Sequence, residues 1–132
     1  MFSIIKELWI FSKAGIPIIE IGHKESLNKY LMGSFISAIK SYSESLTEEG
    51  LTSFILEKNK YILKSSLNGN ALVVCRSDPK IKEKKIKKIC NLITQIFEDL
   101  YKPEDIENWD GDVSFFDNFR DKLDLYFKMS NL

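Results

Sequence analysis

The chain has 132 residues, 44% of them hydrophobic, which suits a single domain with one core. Nineteen basic side chains balance nineteen carboxylates, so the molecule as a whole is not built to coat nucleic acid. No apolar run approaches the roughly 20 residues that span a bilayer. The N-terminus opens on strand-like sequence and shows no cleavable signal pattern, so a cytoplasmic protein is expected.

In chain order, the first strand is expected at Glu7 to Ser12 and the second at Pro17 to Gly22, joined by a turn through Lys13, Ala14, Gly15 and Ile16. Leu8, Trp9, Ile10 and Phe11 are apolar without alternation, the pattern of a strand covered on both faces in the middle of a sheet. A helix is expected from Ser26, its N-cap, to Leu46. Its core stripe reads Leu27, Tyr30, Leu31, Phe35, Ala38, Ile39, Tyr42 and Leu46, with Met32 and Ile36 at the margin, either widening the core face or forming an exposed apolar strip.

Three further strands are expected at Leu51 to Lys58, Tyr61 to Leu67 and Ala71 to Arg76. Asn68-Gly69 is the strongest hairpin signal in the chain. Ala71 to Cys75 is a second continuous apolar run, so this strand is also expected in the middle of the sheet. A helix follows over Lys80 to Tyr101, with Asp78 as N-cap and Pro79 at its first position. Its stripe is Ile86, Ile89, Cys90, Ile93, Phe97 and Leu100. Glu104 to Val113 reads as a polar loop. A last helix over Ser114 to Met129 turns Phe115 or Phe116, Phe119, Leu123, Tyr126 and Phe127 inward.

Few residues point to chemistry. His23 follows a strand and precedes a helix cap, and it reads as a solvent-exposed loop residue. Cys75 and Cys90 lack the spacing of zinc or redox sites and read as buried free thiols of a reducing compartment. A Cys75–His23 nucleophilic pair is disfavoured, because a buried strand resists thiolate formation. Asp110 and Asp112 read as loop residues before they read as cation ligands. No glycine belongs to a phosphate-binding motif. These readings predict no enzyme, no cofactor and no bound metal.

Lys80, Lys82, Lys84, Lys85, Lys87 and Lys88 form a dense basic run. It reads first as a solvated helix face, then as a contact for an acidic protein or for anionic lipid at a membrane surface. With arginine scarce and no interleaved aromatic residues, nucleic acid is not the expected partner.

The order strand-strand-helix-strand-strand-strand-helix-helix resembles the longin domain. The resemblance covers nearly the whole chain and rests on KELWIFSKAGIPIIEI, KYLMGSFISAIKSYSESL, KNKYILKSSLNGNALVVCRSD and the helix up to Tyr101. Roadblock domains are near neighbours that typically begin with a helix, for which there is little room before Glu7. The resemblance implies a single α+β domain over residues 1–132: a five-stranded antiparallel sheet of order 2-1-5-4-3, with one helix on one face and two on the other.

It also implies function by contact, in small-GTPase regulation or vesicle-trafficking-like complexes. The partner would be a protein, such as a small GTPase or another longin or roadblock domain. An exposed third-strand edge would then form the contact with the margin of the first helix, through Met32, Ile36, Ser53, Ile55 and Glu57, and a homodimer is the simplest assembly. Three other readings stand beside this one: a small-ligand sensor or enzyme on a profilin-like sheet, a roadblock-type dimerisation platform, and a peripheral membrane-surface protein using Lys82, Lys84, Lys85, Lys87 and Lys88.

Overall fold

The structure is a computed structural model that describes residues 4–22, 34, 36, 38, 41, 53–56 and 59–130. Five strands form one sheet: β1 (Ile5–Ser12), β2 (Pro17–Gly22), β3 (Ser53–Leu56), β4 (Asn59–Ser66) and β5 (Ala71–Ser77). The helices after them are α1 (Glu83–Leu100), α2 (Pro103–Glu107) and α3 (Asp117–Ser130). A 3₁₀ turn, Val113–Phe116, leads into α3.

The strand order is β2-β1-β5-β4-β3, and every pairing is antiparallel. The two continuous apolar runs are the interior strands β1 and β5, paired through Leu8 with Cys75, Trp9 with Val74 and Ile10 with Val73. Both of their faces are covered, so neither needs a polar side. The β4–β5 hairpin turns at Leu67, Asn68 and Gly69, all at positive φ, as Asn-Gly predicts.

Alternation along the strands sorts the core into two layers. Leu8, Ile10, Ile62, Val73 and Cys75 pack with Ile86, Cys90, Ile93 and Phe97 of α1 and with Phe116, Phe119, Leu123 and Phe127 around α3. Trp9, Phe11, Tyr61, Leu63, Leu72 and Val74 form the other layer with Ile36. Ser34, Ile36, Ala38 and Ser41 are helical, and Ile36 packs on the sheet face opposite α1 and α3; the rest of the helix expected over 26–46 lies outside the described residues.

Several boundaries differ from expectation. Asp78 does not cap α1. Its carboxylate instead accepts the Lys80 N–H at 2.9 Å, and its carbonyl accepts the Ile81 N–H at 3.1 Å. This separate turn sets half-buried Ile81 against the core and delays the helix to Glu83.

The polar stretch after Leu100 holds a helical turn, α2, with Pro103 at its start. Asp105 accepts the Lys102 N–H at 2.8 Å and fixes the entry to that turn. In the last helix Phe116, Phe119, Leu123 and Phe127 are buried, whereas Phe115 and Tyr126 are exposed. The 3₁₀ turn rotates Phe116, not Phe115, into line with α3's inner face. Ala38, expected in the core stripe, is exposed, and Ile36 is buried in its place.

Candidate interaction surface

β3 lies at the edge of the sheet and pairs with a neighbour on one side only. Its residues alternate in role. Phe54 stacks on Tyr61 with ring centroids 4.8 Å apart, and Tyr61 stacks on Trp9 at 6.3 Å. This row of rings ties a four-residue edge strand to the centre of the sheet. Ser53 and Ile55 point to the other face, towards α1. Ile55, opposite Lys60, is 60% exposed.

Glu83, on the first turn of α1, links helix to edge. Its carboxylate lies 3.4 Å from Lys60 Nζ on β4 and 3.8 Å from Lys87 Nζ one turn along the helix. A hydrogen bond from Ser53, more than the two lysines, holds its pKa below the ordinary carboxylate value. Glu83, Lys84, Lys87, Lys88 and Asn91 line an open depression of ≈ 570 Å³ on the outer side of α1.

The expected contact residues do not share one surface. Ile55 is an exposed apolar side chain on the edge. Ser53 is half-buried and engaged with Glu83. Ile36 is 0% exposed within the Trp9 layer, so its side chain is core and offers no surface contact; the helix turns that position onto the sheet. Met32 and Glu57 lie outside the described residues, as does His23. Lys82, Lys84, Lys85, Lys87 and Lys88 are all exposed. Of these five, only Lys87 forms an ion pair among the described residues.

Cys75 and Cys90 are free thiols buried face to face between β5 and α1. A hydrogen bond with Cys90, reinforced by burial, pushes the Cys75 thiol well above its ordinary value, the opposite of what a nucleophile needs. Asp110 accepts the Asp112 N–H at 2.9 Å, and Asp112 accepts the Ser114 N–H at 3.0 Å and its hydroxyl at 2.8 Å. Those bonds shape the loop and hold Asp112's pKa below the ordinary value. Among the described residues no group of three or more histidine, cysteine or carboxylate side chains is arranged to hold a metal ion.

Two features escaped the sequence. Glu7 is buried on β1 and pairs with Arg76 of β5 at 2.7 Å, while Arg76 also donates to Asn59 at 2.8 Å. A carboxylate inside an otherwise apolar strand was the available signal. The second feature is Phe115, 44% exposed, whose ring rests 5.5 Å from that of Tyr101. Its backbone carbonyl accepts the Tyr101 hydroxyl at 3.2 Å, and exposed Asp112 and Asp117 flank it in sequence.

No family model matches the sequence, and no curated protein matches it. Solved structures do. Myxococcus xanthus MglB matches with a TM-score of 0.57 at 17% identity, over 73% of this chain and 85% of that one. A structure described as MglB with tetrameric arrangement matches with a TM-score of 0.55 at 10% identity, over 72% and 76%. A Roadblock/LC7 domain from Streptomyces avermitilis matches with a TM-score of 0.56 at 9% identity, over 70% and 81%. Likeness at these identities is a likeness of fold. With its 2-1-5-4-3 antiparallel sheet between helical layers, the chain has the longin/roadblock-like fold.

Proposed function

We propose that the chain is a non-enzymatic protein-interaction module, a cytoplasmic adaptor acting in small-GTPase regulation or a trafficking-like complex, with the β3 edge as its contact. The observation that carries this reading is the edge itself. Among the described residues β3 has a neighbouring strand on one side only and presents Ile55, while the aromatic row behind it keeps the strand in place. Exposed edges of this kind recruit a further strand.

A second copy is the simplest occupant, since two identical edges pair about a two-fold axis. The tetrameric arrangement named for one structural neighbour is in keeping with assembly through such domains. The fold resemblance adds the expectation of a GTPase or another longin or roadblock domain as partner.

The test is light scattering on the wild type and on Ile55→Asp across a concentration series. A dimer that becomes a folded monomer in the variant supports the reading. A wild type that stays monomeric at high concentration removes the homodimer and leaves the edge for a different protein.

A further inference from the structure

The charge of this neutral chain is split between two poles. Lys80 to Lys88 holds six lysines and one carboxylate, Glu83, and Glu83 is already engaged by Lys60, Lys87 and Ser53. Glu98 to Asp124 holds ten carboxylates against Lys102, Arg120 and Lys122. Lys84 to Lys88 lie on the first turns of α1 and Glu98 and Asp99 on its last, about 15 Å apart at 1.5 Å per residue. That gap is roughly two Debye lengths at physiological salt, so these two groups of charges are largely screened from each other within one molecule.

The acidic pole carries two exposed apolar side chains, Val113 (56%) and Phe115 (44%), with Asp112 just before them and the loop carboxylates and Asp117 and Asp121 of α3 nearby in sequence. The basic pole carries the open depression walled by Lys84, Lys87 and Lys88. The acidic stretch thus offers an exposed aromatic side chain with carboxylates close in sequence, Asp117 among them paired to Arg120, and the depression is lined by three lysines together with Glu83 and Asn91. The aliphatic stems of those lysines supply apolar wall for the ring while their heads meet the carboxylates.

We propose that the Phe115-bearing acidic pole of one copy docks into the lysine-lined depression on α1 of the next, head to tail. The two surfaces differ, so the contact is heterologous. It builds a ring if its rotation closes and a chain if it does not. It is separate from the β3 edge and does not rest on that edge being occupied.

The experiment is sedimentation velocity at low and at high salt over a range of protein concentrations. It compares the wild type, Phe115→Ser, and the triple variant Lys84→Glu/Lys87→Glu/Lys88→Glu. All these side chains are exposed, and circular dichroism checks that each variant folds; Asp121→Lys is a second acidic-pole variant.

The wild-type mass should grow with concentration at low salt and fall back at high salt. Each variant alone should lose about tenfold or more in association, the scale of a lost aromatic anchor or of reversed rim charge. Mixing the two variants should restore one complex, because each retains the pole the other lacks. A β3 dimer would not need that mixing and would not respond to Phe115→Ser. A wild-type mass that ignores salt, or mixed variants that keep their separate masses, overturns the proposal. Salt-sensitive binding to phosphatidylserine vesicles without self-association overturns it as well, and assigns the lysines to lipid.

Discussion

Glu7 and Arg76 are cross-strand partners on the interior strands β1 and β5, joined by a 2.7 Å ion pair with Glu7 nearly sealed from water. Removing Arg76 takes this partner from a nearly sealed carboxylate, and removing Glu7 leaves a partly exposed guanidinium with its bond to Asn59. Arg76→Met or Glu7→Gln should therefore destabilise the fold, towards the lower end of about 3–5 kcal/mol because Arg76 keeps some exposure. The double variant Glu7→Leu/Arg76→Met should recover most of the loss. Urea midpoints of the three variants check this; a double variant as unstable as the singles would show that the pair's value lies elsewhere.

Gly22 ends β2 at φ +127°, and a Cβ there would stand 2.6 Å from the Lys6 carbonyl oxygen and 3.0 Å from Glu7 Cα. Both obstacles are backbone and cannot swing aside. Gly22→Ala should cost about 1–3 kcal/mol, measured as a lowered melting temperature, and it should loosen the open end of the β1–β2 hairpin. Unchanged melting would mean that β2 shifts freely, against the register seen here.

Burial raises the pKa of the Tyr101 phenol above its usual value. A raised value means that the folded chain holds this proton more tightly than the unfolded chain does. The stabilisation is complete below the unfolded value of about 10 and is lost as pH rises through the folded value. Tyr101→Phe forfeits the bond to the Phe115 carbonyl, a loss of about 1 kcal/mol at neutral pH. It should also lose less stability than the wild type on going above pH 10. Parallel alkaline limbs in the two stability profiles would contradict the assignment.

Phe11 and Val73 sit in opposite core layers, and both are essentially inaccessible. Phe11→Ala should cost about 3–5 kcal/mol and Val73→Ala about 2 kcal/mol through lost burial and residual cavity. A thermal melt that does not move for one of them would remove the corresponding layer.

The sheet was legible because its strongest signal is local. Leu8 to Phe11 and Ala71 to Cys75 announce covered strands by composition, and Asn68-Gly69 announces its own turn. Strand order came from resemblance, not from any residue. What stayed hidden depends on competition or distance. Asp78 and Pro79 offer a good helix cap, but the same aspartate closes a tighter turn first. α2 is a single turn, too short to show a period. The rotation that buries Ile36 and exposes Ala38 depends on where the Trp9 layer leaves room, and Arg76 is 69 positions from the glutamate it neutralises. For the surface, Ile55 and the lysine run were visible as side chains to be explained. The tie of Glu83 to Ser53 and Lys60, and the seat of Phe115 on Tyr101, exist only once helix and sheet are packed.

The placement of β1 between β2 and β5 also shapes how the chain is made. During synthesis the β1–β2 hairpin emerges early, but the other flank of Leu8 to Phe11 has no neighbour until Ala71 to Ser77 leaves the ribosome. At translation speeds of about 5–20 residues per second, that interval lasts several seconds. For that time an apolar strand of the nascent chain shows a bare ladder of donors and acceptors. Its closure is a long-range pairing, the slow kind. Translational pausing before Ala71 to Ser77 has left the ribosome should therefore raise the yield of aggregated chains, whereas pausing once that strand has emerged should not.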